Sequence, residues 1–176
     1  MAVRRGVDAR LGRRFLLDGM LGSLARWLRV CGYDAEYLQD VPDEELVRRA
    51  ASEDRALLTM DKLLHRKGLK AGLDALLVEG ESDAQKLALV SMVFGLELDP
   101  RNSRCPKCDG ELSIAEKTSV KGRVPSRTFE AYDDFWVCRS CDQVYWRGSH
   151  WRDIMRTVYE AARLASQPDA GGKEHL

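Results

Sequence analysis

Four cysteines in two pairs are the residues whose spacing most clearly indicates chemistry. Two residues separate Cys105 from Cys108, and two separate Cys138 from Cys141. A pair of such tight turns can bring four thiolates into a tetrahedral sulfur cage, as in structural zinc sites. The spacing therefore predicts a zinc ribbon held by Zn²⁺. A four-cysteine iron site fits the same ligands, and four free thiols are the less favoured alternative.

Carboxylates form the second group of residues with chemical potential. Asp18, Asp40, Asp43 and Asp61 each follow a predicted strand directly or within a few residues. Ligands of an open parallel sheet gather at the carboxyl ends of its strands, so these side chains are expected at one edge. Oxygen ligands suit Mg²⁺ or Mn²⁺, which would support hydrolysis of a phosphodiester. The alternative is that each acid only caps or begins a helix.

Other catalytic arrangements are not indicated. The segment 17–22 has neither a dinucleotide-binding fingerprint nor a Walker lysine, which argues against a nucleotide-driven enzyme. His65, His150 and His175 stand in three unrelated settings, so no histidine network is predicted. His150, between a serine and a tryptophan, is a candidate for contacting a phosphate, although packing at a helix start also explains it.

The elements that must position these residues alternate along the first hundred residues. The predicted strands are Phe15–Leu17, Ala35–Leu38, Ala56–Thr59 and Leu76–Val78, and the intervening helices run over about 20–31, 42–51, 62–67 and 82–94. This alternation predicts an α/β domain with a parallel sheet flanked by helices. We divide the chain into a tail (1–13), an α/β domain (14–99), a cysteine unit with a closing helix (100–165), and a second tail (166–176).

Basic and aromatic residues lie between the two cysteine pairs. Lys121, Arg123 and Arg127 are followed by four aromatic residues, Phe129, Tyr132, Phe135 and Trp136. Basic side chains neutralise phosphates and aromatic rings stack on unpaired bases, so this segment favours binding of single-stranded nucleic acid. The alternative is that the aromatic residues form the small core of the cysteine unit. We assign Phe135 and Trp136 to that core and Lys121–Arg127 to binding.

Charge and composition limit the partners and the compartment. Residues 14–100 carry 16 Asp or Glu against 11 Lys or Arg, whereas residues 101–160 carry 9 against 11. This distribution is consistent with an acidic first part of the chain that binds cations and a cysteine-containing part that binds a polyanion. No apolar stretch reaches the length of a membrane span, no secretion signal is apparent, and free cysteines suit a reducing compartment, so we predict a cytoplasmic protein. Cys31, outside the pairs, is predicted to be a small core residue.

Several segments together resemble the Mut7-C RNase domain. They are residues 15–29, residues 40–46 with Asp40 and Asp43, residues 57–61 ending in Asp61, and residues 145–151, in the expected order with both cysteine pairs. The resemblance implies a PIN-like nuclease core with a C-terminal zinc ribbon, acting on RNA with Mg²⁺ or Mn²⁺. It also implies that Asp18, Asp43 and Asp61 are the metal-binding catalytic acids, with Asp40 and Glu44 as neighbours.

The chain departs from the family pattern at two places. Family members commonly have arginine before the third acid, where this chain has Met60, so the phosphate contact expected there is either missing or supplied by Arg26 or Lys62. Asp83 is the nearest candidate for the fourth acid that PIN nucleases usually contain, but a first-turn acid of the following helix explains it equally well. Two other functions remain open at this point: a non-catalytic RNA-binding zinc-ribbon protein, and an electron carrier with a rubredoxin-like iron site.

Overall fold

The first part of the chain forms a parallel sheet with a helix after each strand. In the computed structural model, which describes residues 12–167, the elements are β1 (Arg14–Leu17), α1 (Gly22–Val30), β2 (Asp34–Tyr37), α2 (Asp43–Ser52), β3 (Ala56–Thr59), α3 (Lys62–Lys70), β4 (Ala75–Leu77) and α4 (Asp83–Phe94). The strand order is β2-β1-β3-β4, and all neighbouring strands are parallel. The predicted fold class is confirmed, whereas the predicted tails lie mostly outside the described residues.

The two faces of the sheet separate the core into two layers. Phe15 and Leu17 of β1 belong to the apolar cluster that contains α1 and α4. Leu16, between them, packs with Leu57 in the cluster formed by α2 and α3. This alternation follows from the strand geometry, in which successive side chains point to opposite faces. Because both faces are covered, the central strands β1 and β3 are mostly apolar. The carboxyl ends of the strands form the edge available to a ligand.

Helix ends follow the capping residues that the sequence indicates. Ser82 and Gln85 form a capping box before α4, and Gly95 ends this helix in the left-handed conformation at φ 64°. Helix α1 begins at Gly22, later than predicted, because Asp18 first closes a turn. The amide N–H of Met20 donates to Asp18 Oδ1 at 3.0 Å, and the amide N–H of Leu21 donates to the Asp18 carbonyl at 3.1 Å. The strand β4 also begins one residue earlier than predicted.

The cysteine unit has a small antiparallel sheet and its own core. After a short 3₁₀ helix (Pro100–Asn102), the unit contains β5 (Leu112–Ala115), a second 3₁₀ helix (Lys117–Val120), α5 (Ser126–Ala131), β6 (Phe135–Cys138) and β7 (Val144–Trp146), with strand order β5-β6-β7. The core consists of Val120, Val124, Phe135 and Val144, with partly buried neighbours. Phe135 is therefore a core residue, as predicted. The segment between the two cysteine pairs contains β5, the second 3₁₀ helix and α5.

The last helix returns to the α/β body. Helix α6 (Ser149–Ser166) lies against α4, and its buried residues Val158 and Ala161 belong to the main core. The chain therefore enters the cysteine unit from α4 and leaves it into a helix packed on α4. Both ends of the unit are held by the body. Within residues 12–167, no helix is both long and apolar enough to cross a membrane.

A buried arginine joins the first cysteine turn to the edge of the parallel sheet. Arg29 of α1 is only 8% exposed. Its Nε donates to the carbonyl of Ala35 on β2 at 2.8 Å, and its Nη1 donates to the carbonyl of Pro106 at 3.2 Å. Asp109 completes the junction, because its Oδ2 accepts the Ala35 amide N–H at 2.9 Å. The turn thus covers the outer edge of β2.

Replacing Arg29 with glutamine is expected to lower the free energy of unfolding by about 2–3 kcal/mol, because buried carbonyls lose charged donors. Urea denaturation followed by circular dichroism measures this change. Arg26→Gln is the matched control: Arg26 is exposed on the same helix, so its replacement should change stability by less than about 0.5 kcal/mol. Equal stabilities for the two variants would contradict the structural role of Arg29.

Candidate active site and metal centre

The strand order identifies the edge where a ligand is expected. From β1 the chain passes to β2 on one side, and then crosses to β3 on the other side of β1. In open α/β sheets of this order, the crevice lies between the carboxyl ends of β1 and β3. Asp18 follows β1, Thr59 ends β3 and Asp61 follows closely. The strand order thus brings two of the three predicted catalytic acids to neighbouring positions.

A threonine hydroxyl connects Asp18 with the backbone of Asp61. Asp18 is 6% exposed and Thr59 is fully buried. The Thr59 hydroxyl donates to Asp18 Oδ2, and its oxygen accepts the amide N–H of Asp61 at 2.9 Å. Asp18 Oδ1 accepts the amide N–H of Met20. Sequence analysis missed Thr59. Its position at the end of the third predicted strand could have indicated that its hydroxyl lies at the same edge as the acids.

Asp61 is both exposed and a helix cap. Its Oδ1 accepts the amide N–H groups of Leu63 at 2.6 Å and Leu64 at 3.2 Å, so it is the N-cap of α3. The capping interpretation is therefore correct for Asp61. Capping does not prevent Asp61 from binding an ion, because both capping hydrogen bonds use Oδ1, one of its two carboxylate oxygens. Lys62, the exposed candidate for a phosphate contact, is the next residue and begins α3.

Asp43 is held by a lysine of the neighbouring helix. It lies in the first turn of α2, half-buried, and its Oδ2 accepts a hydrogen bond from Lys67 Nζ of α3 at 3.0 Å. Lys67 also donates to Glu44 Oε1 at 2.8 Å, and this hydrogen bond lowers the pKa of Glu44. The bonds to Glu44 and Asp43 raise the pKa of Lys67. Sequence analysis missed Lys67, which neutralises the acids that begin α2.

The three predicted acids share an edge without forming a closed cluster. Among residues 12–167, only the four paired cysteines form a group of three or more metal-ligating side chains with ligand atoms within 4.8 Å of one another. The carboxylate oxygens of Asp18, Asp43 and Asp61 therefore do not all lie within 4.8 Å of one another. Asp40, exposed after β2 in a left-handed conformation at φ 57°, does not join them in such a group either.

Asp83, the candidate fourth acid, contacts the start of α1. It is the first residue of α4, but Ser82 is the N-cap of this helix. Asp83 Oδ2 accepts hydrogen bonds from the Ser23 hydroxyl at 2.7 Å and from Trp27 Nε1 at 2.9 Å. Its carboxylate therefore connects α4 with the first turn of α1, close in sequence to Asp18.

The predicted RNA-binding residues divide between several surfaces. Arg26 lines a small cleft with Gln39 and Lys107, whereas His150 lines a larger cleft at the start of α6. Lys121, Arg123 and Arg127 are exposed on the cysteine unit and line neither cleft. Arg123 is ion-paired with Asp142 at 2.9 Å.

Trp136, which we assigned to the small core, faces the larger cleft instead. It is half-buried and lies under the guanidinium of Arg147, with 4.9 Å between the guanidinium carbon and the ring centroid. Its neighbour Phe135 points into the core, and successive residues of a strand point to opposite faces. The assignment of Trp136 to the core was therefore wrong.

The four paired cysteines form a site with the dimensions of a tetrahedral metal centre. The Sγ atoms of Cys105 and Cys141 are 3.7 Å apart, and those of Cys108 and Cys138 are 3.5 Å apart. Four sulfurs bound to Zn²⁺ at about 2.3 Å are about 3.8 Å from one another, so little movement is needed to bind the ion. These residues can hold a metal such as zinc, as their spacing predicts.

The backbone of the second cysteine turn favours a thiolate at Cys138. Burial raises the pKa of this thiol, but the amide N–H groups of Cys141 and Ser140 and the neighbouring thiols outweigh that effect and lower the pKa to about 7. Each cysteine pair is followed by an aspartate in the left-handed conformation, Asp109 at φ 65° and Asp142 at φ 59°. Asparagine and aspartate tolerate this conformation better than other non-glycine residues. The repeated Cys-Asp sequence could therefore have predicted a left-handed residue after each cysteine pair.

Glycine is required where the two cysteine turns approach each other. A Cβ atom on Gly110 would lie 2.5 Å from Ser140 Oγ and 2.8 Å from Cys138 Sγ. The amide N–H of Cys105 also donates to the Gly110 carbonyl at 2.8 Å. The Asp-Gly sequence after the first pair is thus a packing requirement of the metal site.

Comparison with known proteins gives one match. A family model described as the Mut7-C RNAse domain matches residues 13–158. No curated protein matches, and no solved structure matches. The matched region includes the parallel sheet, all three predicted catalytic acids, the four paired cysteines and the first half of α6.

Proposed function

Because the chain belongs to the Mut7-C RNAse domain family, we propose that it is a metal-dependent ribonuclease that hydrolyses RNA phosphodiester bonds at Asp18, Asp43 and Asp61. Membership in a ribonuclease family supports nuclease activity in general and an RNA substrate. The metal dependence and the roles of the three acids are our inference. The predicted cytoplasmic location stays a prediction.

The observation that carries this proposal is the pairing of Asp18 and Asp61 at the β1/β3 crevice through Thr59. Asp18 is a nearly buried carboxylate that accepts one hydroxyl and one amide hydrogen. An ionised carboxylate offers about four lone-pair sites, and its burial is costly unless it is paired. The Asp18 carboxylate, at the edge where ligands bind, therefore suits a divalent cation. The exposed Asp61, which follows the neighbouring strand, suits the same ion.

Each residue near the crevice then has a defined task. A divalent cation held by Asp18 and Asp61, with Asp43, would activate water and neutralise phosphate oxygens. Thr59 orients Asp18. Lys67 holds Asp43 through an exchangeable surface contact, and such contacts contribute at most about 1 kcal/mol, so an ion can compete for this carboxylate. Arg26 and Lys62, both exposed, are available for the substrate phosphates.

The cysteine site has a separate task in this proposal. Four thiolates around Zn²⁺ leave no open position for a substrate, as is typical of structural zinc. The thiolates therefore hold the cysteine unit together, while the carboxylates perform the reaction.

Metal-dependent cleavage of RNA tests the proposed function. Purified protein is incubated with labelled single-stranded RNA and with an RNA hairpin, in metal-depleted buffer with or without added Mn²⁺ or Mg²⁺. We expect cleavage only with the added cation. A metal-depleted buffer is preferable to a strong chelator, because a chelator also removes the structural zinc. Absence of cleavage with either ion, in protein that retains its zinc, would contradict the proposal.

A second candidate function is RNA binding without catalysis. It is favoured by the capping role of Asp61 and by the ion pair between Asp43 and Lys67, which explain both acids without a metal. It predicts salt-dependent RNA binding and no cleavage.

Substitutions of Asp61 distinguish these two functions. Asparagine caps helices about as well as aspartate, so Asp61→Asn should leave the free energy of unfolding nearly unchanged, whereas Asp61→Ala should lower it by about 1 kcal/mol. Both variants lose the charge that a cation needs. If Asp61 is a metal ligand, both should cleave RNA at least about tenfold more slowly than the wild type. Full cleavage by Asp61→Asn would show that Asp61 is only a cap.

A further inference from the structure

A large cleft lies between the α/β body, the cysteine unit and the start of α6. Its volume is about 980 Å³, near the upper end of the range of about 300–1,000 Å³ that is typical of ligand sites. It is lined by Pro100–Arg104 before the first cysteine pair, by Trp136 of β6 and by residues 144–151. None of the predicted catalytic acids or paired cysteines lines it, so it is separate from both sites described above.

An arginine in the lining of the cleft lies over two tryptophan rings. The guanidinium carbon of Arg147 lies 4.9 Å from the ring centroid of Trp136 and 5.2 Å from that of Trp151. The three residues come from β6, the turn after β7, and α6. Both rings are half-buried, whereas Arg147 is exposed. The protein thus holds flat aromatic and guanidinium surfaces in place at the opening of the cleft, and such surfaces stack on nucleic-acid bases.

The charge of the cleft favours a polyanion. Its charged lining residues are four arginines, Arg101, Arg104, Arg139 and Arg147, with Glu111 as the one acid. Three of these arginines are paired with acids, Arg139 with Glu111 at 3.3 Å, Arg101 with Asp99 at 2.7 Å and Arg104 with Asp109 at 2.6 Å, so the remaining positive charge is that of Arg147. Arginine is well suited to phosphate, because its planar guanidinium donates two parallel hydrogen bonds.

The cleft continues toward the predicted catalytic edge. Pro106 and Tyr145 line both this cleft and the smaller one that contains Arg26. The smaller cleft is also lined by Gly22 and Ser23 of the first turn of α1, four and five residues after Asp18. A flexible strand in the large cleft could therefore pass Pro106 and Tyr145 and reach the carboxyl ends of the strands.

We propose that this cleft, with Arg147 stacked between Trp136 and Trp151, binds unpaired nucleotides of the RNA substrate beside the bond to be cleaved. The inference rests on the proposed ribonuclease function and adds the site that selects single-stranded RNA. Base faces can stack on protein side chains only where bases are unpaired, because a duplex keeps them stacked on one another. The positive charge of Arg147 suits a phosphate of the same segment, and the smaller cleft leads the strand toward Asp18.

Binding of a short fluorescein-labelled RNA, measured by fluorescence anisotropy, tests this proposal. The full-length protein carries Asp18→Asn, so that binding is measured without cleavage, and the RNA is offered as a single strand and as a blunt duplex. Arg147→Glu is expected to raise the Kd for the single strand about tenfold or more. The slope of log Kd against log salt concentration should also fall by about 0.7 if one phosphate contact is lost. Arg147→Lys keeps the charge without the planar group, and an intermediate Kd is expected.

Arg163→Glu is the matched control, because Arg163 is an exposed arginine of α6 outside the cleft. It should change the Kd less than about twofold. Circular dichroism and zinc content establish that each variant is folded. Equal Kd values for Arg147→Glu and Arg163→Glu would overturn the proposal, as would failure of the parent to bind single-stranded RNA or a preference for the duplex.

A cleavage assay with the corresponding Asp18-containing proteins separates this proposal from the proposed function. If wild-type protein does not cleave RNA while binding depends on Arg147, the ribonuclease proposal fails and the binding site is supported. If wild-type protein cleaves RNA and Arg147→Glu neither weakens binding nor slows cleavage, the cleft proposal fails and the ribonuclease proposal is supported.

Discussion

Replacement of Asp18 by asparagine is expected to slow RNA hydrolysis about 1,000-fold. Asparagine keeps the shape of the side chain and can still accept the amide N–H of Met20, but it removes the negative charge that would hold a divalent cation. A metal ion contributes several kcal/mol of transition-state stabilisation, and each 1.36 kcal/mol corresponds to a tenfold change in rate. Single-turnover cleavage at saturating Mn²⁺ measures the effect and separates it from weaker RNA binding.

Asp54→Asn is the matched control for Asp18→Asn. Asp54 is exposed and precedes β3, so it lies at the opposite end of the strand from Asp61. Its φ of 51° is left-handed, a conformation that asparagine tolerates. Its cleavage rate should stay within about twofold of the wild type. If folded Asp18→Asn retained more than about a tenth of the wild-type rate, Asp18 would not be a catalytic ligand.

The thermal stability of Asp18→Asn gives an independent readout. Removing a charge from a nearly buried position reduces the cost of desolvation, so the melting temperature in metal-depleted buffer should be unchanged or higher. A purely structural role for the Asp18 carboxylate would instead lower the melting temperature. Lower activity together with equal or higher stability would therefore indicate a functional carboxylate.

Replacement of Cys138 by serine is expected to abolish zinc binding and unfold the cysteine unit. The core of this unit has only four buried apolar residues, Val120, Val124, Phe135 and Val144. Structural zinc sites contribute about 10–16 kcal/mol of apparent binding free energy, far more than so small a core can supply. Zinc content should fall from about one per chain to nearly none, and limited proteolysis should cleave the chain between residues 105 and 148. Colourless wild-type protein with one zinc would also exclude the iron alternative.

Cys31→Ser is the matched control for the loss of zinc. Cys31 packs in the main core, and burial, followed by the nearby Asp99, raises the pKa of its thiol to about 12. Cys31 also lies outside the group of four cysteines that can hold a metal. This variant should keep its zinc, although burying a hydroxyl in place of a thiol should lower the free energy of unfolding by about 1–3 kcal/mol. Full zinc content in Cys138→Ser would contradict the four-cysteine site.

The α/β body should remain folded when the zinc is lost. Its main core is separate from the core of the cysteine unit and includes Val158 and Ala161 of α6. Helix α6 should thus stay on α4 even though the residues before it unfold. The connection through Arg29 and Asp109 would be lost, which should lower the melting temperature of the body by about 8–16 °C, corresponding to about 2 kcal/mol for a body of this size.

The sequence by itself determined the order of the strands and helices in the α/β body, several of their ends, and the four candidate sulfur ligands. Strand β3 spans the predicted residues, α4 begins after the Ser82 cap and ends before Gly95, and the doubled cysteine spacing identified the four sulfur ligands. These features depend on residues close together in the chain: a cap acts within one turn of a helix, and side chains alternate along a strand. Such local relationships are visible in the order of the residues.

Only the tertiary structure decided which distant residues meet. Thr59 joins Asp18 to Asp61, Lys67 of α3 holds Asp43 of α2, and Arg147 lies on Trp136. Each contact depends on how two elements pack and on the direction of a side chain, and the spacing of residues along the chain reveals neither. The return of α6 to α4 is of the same kind. The sequence therefore predicted a metal site and an acidic edge, whereas packing determined what surrounds each acid and where a basic aromatic cleft opens.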